Sequence, residues 1–170
     1  MLHQAAEWLR DHIDAGYSLD EVMAGTHEFE PGAGPPGTHP FRFVVKWGSD
    51  SMRGFLHPGE QFLTAALAGT VTAGSLCADA PCAGSLRIDY FGRHSIRYVF
   101  EFDSAQGQCR FVGEKVNIRA WNLPVSHTTC FGTVTRISDG RLVSRAVVHF
   151  RLRTLPAFLG SLRVRAANHA

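Results

Sequence analysis

The chain has 170 residues, 45% hydrophobic and 19% charged, with a formal net charge of +2 at pH 7. That suits one domain with enough apolar chain to bury a real core. A charge so small, spread without runs, argues against a nucleic acid or an anionic membrane as partner, and no apolar stretch approaches the roughly 20 residues needed to span a bilayer.

The first sixteen residues, MLHQAAEWLRDHIDAG, are broken early by charges and do not read as a signal peptide, so a cytoplasmic protein is expected. Leu2, Ala5, Ala6, Leu9 and Ile13 recur at helical spacing, and Gly16 offers a stop. Ser18 and Glu21 then match a capping box for one more helical turn, giving an N-terminal helical segment over 1–21.

From residue 22 the pattern is β. VMAGTHEFE reads as a first strand and PGAGPPGTHP as a loop. In FRFVVKW, Phe41, Phe43, Val45 and Trp47 share one face, with Arg42 and Lys46 on the other. SMRGFLHPGE breaks the alternation and suits a helical turn, and LAGTVTAGSL is strand-like. CADAPC spaces Cys77 and Cys82 too widely for the usual tight zinc pair, and Cys130 with His127 does not complete one, so free thiols and no metal are expected. SLRIDYF groups Leu86, Ile88 and Tyr90, and SIRYVFEF groups Ile96, Tyr98, Phe100 and Phe102. CRFVGEKVNIRAW follows as a further strand. TTCFGTVTR and LVSRAVVHFRL flank Asp139-Gly140, a strong hairpin signal. His149 alternates with Arg145 and Arg151 on a polar face. The tail predicts a short helix from Leu155 and a last short strand.

The sum is a mainly β protein: a single antiparallel barrel of about eight to ten strands over 22–170, with a helix at each terminus. Short turns favour up-and-down pairing, and closure removes exposed edges.

The order MRG, LAGTVTAGSL, IRYVFEF, VGEKVNIRAWNLPVSHTT, GRLVSRAVVHFRL resembles a calycin or lipocalin-like barrel family. It is similar to small barrel modules found beside, or fused to, bacterial flavin-dependent oxidoreductases of sterol-oxidase type. The resemblance implies a barrel with an apolar interior. Glu114 and His127 depart from the family pattern.

Candidate site residues concentrate in EKVNIRAWNLPVSHTTC. Alternation puts Val112, Glu114, Val116, Ile118 and Ala120 on one face and Phe111, Gly113, Lys115, Asn117, Arg119 and Trp121 on the other. If the more apolar face points inward, Glu114 goes with it, opposite residues 128–130 and beside His127. A carboxylic acid held there would suit proton transfer. A one-residue slip exchanges the faces, making Glu114 surface and Lys115 lining. Tyr90, Tyr98, Phe100, Thr128, Trp47 and Trp121 complete the candidate lining.

Three readings follow. The leading one is binding of a small apolar molecule, such as a steroid, terpenoid, polyketide or fatty-acid derivative, in the barrel. The second is a cofactor-independent isomerase, cyclase or dehydratase with Glu114 and His127 as catalytic groups; no nucleotide, phosphate or nucleophile motif is present. The third is an interaction module that docks on a second copy of the chain or on a redox enzyme.

Overall fold

The computed structural model describes residues 15–89, 92–116, 129–150, 160 and 162–166. Nine strands are present among them: β1 (Ala15–Phe29), β2 (Thr38–Ser49), β3 (Thr64–Ala73), β4 (Cys77–Asp89), β5 (Ser95–Ser104), β6 (Gly107–Lys115), β7 (Thr129–Arg136), β8 (Leu142–Phe150) and β9 (Arg163–Ala166). Each of β1 to β8 pairs antiparallel with its sequence neighbour, and β8 returns to β1, which closes an eight-stranded barrel. This up-and-down closed barrel is compatible with a calycin or lipocalin-like architecture. No described helix is long and apolar enough to cross a membrane.

Closure uses β1 twice. Met23–Phe29 pair with β8, while Ala15–Ser18 pair with β9, and β2 runs along the other edge from Tyr17 to Glu28. The helical turn expected at Ser18–Glu21 is therefore replaced by strand. The capping-box spacing is present, but alternation continues through Leu19, Glu21 and Met23, and unbroken pairing with β2 decides the backbone. The expected N-terminal helix over 1–14 and the C-terminal helix from Leu155 lie outside the described residues. The short last strand is present as β9.

Because strands alternate in direction, the barrel has two unlike ends. The β1–β2, β3–β4, β5–β6 and β7–β8 hairpins share one of them, the hairpin end. There Gly140 adopts φ +68, the left-handed conformation that glycine takes without strain, and Arg136 pairs with Asp139 at 2.6 Å across the same turn. At the opposite, loop end lies α1 (Met52–Leu56), capped by Ser51 Oγ accepting from the Gly54 amide at 2.7 Å. Phe55 of α1 packs edge-on to Tyr17 at 5.2 Å.

The inward row of each strand forms the core. Phe41, Phe43, Phe100 and Phe111 are fully buried; Phe111 stacks on Phe41 at 5.2 Å and on Phe100 at 4.9 Å. Space for the Phe111 ring comes from two inward glycines. A Cβ on Gly113 would lie 2.6 Å from the ring, and one on Gly132 would also strike it. Gly25, Gly69 and Gly84 sit where a Cβ would meet the carbonyl of the adjoining strand, which lets the wall coil tightly enough to close.

Candidate functional site

The strand from Gly107 to Lys115 settles the face question. Cys109, Phe111, Gly113 and Lys115 form the buried row, and Arg110, Val112 and Glu114 face outward. The expected placement is thus reversed. Glu114 pairs with Arg97 of β5 and with Phe131 of β7, which is 56% exposed. The physical reason is phase: Cys109 and Phe111 add more burial than Val112, and Lys115 shares their face. The premise for Glu114 as an interior acid falls with that placement.

Lys115 enters the barrel as a cation, and β1 supplies its counter-charge. Glu21 is two residues from Met23 on the inward row of β1, and its carboxylate Oε1 lies 2.7 Å from Lys115 Nζ. Both residues are only 3% exposed. Such a pair is costly to desolvate unless further hydrogen bonds satisfy it. Glu21 has them. Tyr98 donates its hydroxyl to Oε1 and Oε2 at 3.0 and 3.1 Å, and Trp47 donates Nε1–H to Oε2 at 3.0 Å. Four strands, β1, β2, β5 and β6, thus converge on one carboxylate.

The Lys115 ammonium is less completely served. Its one hydrogen bond among the described residues goes to Glu21, and its other neighbours are the faces of Tyr98 and Phe150, with ring centroids 5.1 and 5.8 Å away. An ammonium carries three donors, so two N–H directions have no acceptor there. Cation–π attraction offsets part of that deficit.

The neighbouring titratable groups are held neutral. Burial, reinforced by the Glu21 charge, pushes the Tyr98 hydroxyl well above its ordinary value. Burial also pushes the Cys130 thiol up to about 12, against an opposing pull from Lys115. A thiol so disposed is neither nucleophile nor ready metal ligand near neutral pH. All four cysteines are free thiols, and no metal-competent group of His, Cys, Asp and Glu occurs among the described residues.

Of the residues singled out from the sequence, the structure brings Trp47 and Tyr98 onto the same carboxylate and places Phe100 in the adjoining aromatic layer. Tyr90, Trp121, His127 and Thr128 lie outside the described residues, as do Asn117 and Arg119. His149 is exposed, its Nδ1 3.0 Å from Thr129 Oγ1. Sequence reasoning missed Glu21. The available signal was the period-two row Leu19, Glu21, Met23, which a helical reading of SLDE conceals.

A second polar locus lies toward the hairpin end. His27 on β1 approaches the Gly74 carbonyl through Nε2 at 3.1 Å, and its Nδ1 has no partner among the described residues. Burial lowers the His27 pKa, the Gly74 contact opposes this, and nearby His39 lowers it further. Ser144 on β8 is fully buried with its hydroxyl also unpartnered. Searches against protein-family models, curated proteins and solved structures returned no match, so the closed barrel and its buried Glu21–Lys115 cluster are the basis for reading its function.

Proposed function

We propose that this barrel binds a small, predominantly apolar molecule inside its loop-end half. The observation that carries the reading is Lys115: a buried ammonium that faces the interior, with two donors for which the described residues supply no acceptor. Native interiors seldom leave donors on a buried charge unfilled, and ligand sites in apolar barrels use a few such groups to orient what they hold. The closed barrel supplies the wall, and its aromatic layer below supplies an apolar floor.

The resemblance to modules near sterol-oxidase-type enzymes puts a steroid first among candidates, followed by a terpenoid, a polyketide and a fatty-acid derivative. The test is a titration with Nile red, followed by competition with one member of each class. Saturable one-to-one binding with a blue-shifted emission, displaced by at least one class, is the expected result. Emission that rises without saturation, and that no competitor reduces, would remove the binding reading.

A further inference from the structure

Given interior binding, the cluster also restricts the chemistry of the ligand. Three features decide it. First, the site is already charge-balanced: one carboxylate, Glu21, faces one ammonium, Lys115. Tyr98 and Cys130 add no charge, since burial holds both in their protonated forms. A ligand carboxylate would therefore bring an uncompensated negative charge beside Glu21 in a desolvated place.

Second, the Glu21 carboxylate is occupied. It accepts from Lys115, from the single Tyr98 O–H shared between both oxygens and from Trp47, which uses about three of its four lone-pair directions. A ligand donor finds a carboxylate already served by three donors. Third, what remains is donor capacity. Among the described residues, two of the three Lys115 N–H groups meet no acceptor. At the same end, the buried Tyr17 hydroxyl has no hydrogen-bond partner among the described residues, while its ring packs edge-on to Trp47 at 6.1 Å.

We propose that the interior ligand is an uncharged apolar molecule bearing a carbonyl oxygen, and that Lys115 is the binding residue that donates to it. The inference rests on the interior-binding reading above and adds the ligand's functional group. A hydrocarbon would leave the ammonium donors unfilled, and an acid would unbalance the charge.

Three probes with one skeleton separate these cases: benzophenone, diphenylmethane and diphenylacetate. Affinities are measured on the full chain by competition with Nile red. Benzophenone should bind about ten-fold more tightly than diphenylmethane, the scale of one hydrogen bond to a charged donor. It should also outcompete diphenylacetate. In the charge-neutral double variant Glu21→Gln/Lys115→Met the preference over diphenylmethane should vanish while diphenylmethane affinity is kept. A second readout needs no variant: the carbonyl stretch of carbon-13-labelled benzophenone should fall on binding to the unaltered protein, relative to its value in hexane.

Equal affinity for benzophenone and diphenylmethane, or an unshifted carbonyl stretch, overturns the carbonyl assignment and leaves interior binding standing. Tightest binding of diphenylacetate overturns it in favour of an acid ligand. Retention of the preference in the double variant removes Lys115 as its source. Failure of all three probes to displace Nile red overturns this inference together with the binding reading.

Discussion

The two halves of the barrel solve the same packing problem by opposite means. Toward the hairpin end, Phe111 stacks on Phe41 and Phe100 beside inward Gly113 and Gly132, and the interior is organised by aromatic packing, with His27 and Ser144 the buried polar residues near it. Toward the loop end, the same inward rows deliver Glu21, Lys115, Tyr98 and Trp47, and the interior is organised by charge and hydrogen bonds. Only a few residues along each strand separate the two regimes: Met23 follows Glu21 on β1, and Phe100 follows Tyr98 on β5. A filled aromatic layer stabilises without specifying a ligand. A partly satisfied charge pair adds little net stability but defines what can lie beside it.

The sharpest way to break that contrast is to unbalance the pair. Lys115→Met should cost about 3–5 kcal/mol, because it strands the Glu21 carboxylate in the core. Adding Glu21→Gln should restore most of the loss, an outcome read by urea denaturation of both proteins. No rescue would mean that packing, not charge, sets the cost. Phe111→Ala should lose a comparable amount, about 3–5 kcal/mol, through a cavity that inward Gly113 and Gly132 cannot fill. No second substitution at Glu21 should rescue it, which separates the two halves experimentally.

Smaller effects sharpen the comparison. Tyr98→Phe removes one donor to a charged acceptor and should cost about 1.5–3 kcal/mol in the same denaturation assay. A change below the resolution of that assay would show that Glu21 recovers a donor elsewhere. The mildest test uses pH and the His27 locus. The folded state holds His27 below its ordinary pKa of 6.5. The unfolded chain therefore binds the proton first as pH falls. The contribution of His27 is full above about pH 6.5, is lost as pH drops toward the lowered folded value, and is flat below both. His39 is the titratable neighbour that packs against it, 5.7 Å between ring centroids. His27→Gln should flatten the stability profile between pH 6.5 and 5 relative to the unaltered protein, and His39→Gln should flatten it less.

Strand order and most strand faces were legible because a two-residue period is written directly into FRFVVKW and IRYVFEF. The inward rows Phe41–Trp47 and Ile96–Phe102 follow from it, as does the hairpin at Asp139-Gly140. The site was legible only in part. Trp47 and Tyr98 could be chosen as inward aromatic residues with a polar atom each. The group they serve, Glu21, lies 26 and 77 residues away in sequence, and no local pattern encodes such a meeting. Around Lys115 the local pattern points the wrong way: a face with Gly, Lys, Asn and Arg looks solvated, yet Phe111 and Cys109 drag it inward. CADAPC was unreadable as strand because Pro81 is a poor ladder residue, although β4 runs through it.

The doubled use of β1 has a kinetic consequence. Its partners Ser144–Phe150 and Arg163–Ala166 follow β2 to β7 in the chain, whereas β1 precedes them. Every intermediate hairpin from β2 to β8 can form between near neighbours, but the cylinder cannot shut until the chain has been made through β8. Contacts of that sequence separation form slowly, because the loop they close is long. Until β8 is available the chain can form at most an open, curved sheet, with the edges of β1 and of its newest strand unpaired. It is in that interval, rather than in the finished barrel, that chaperones would matter most to this chain.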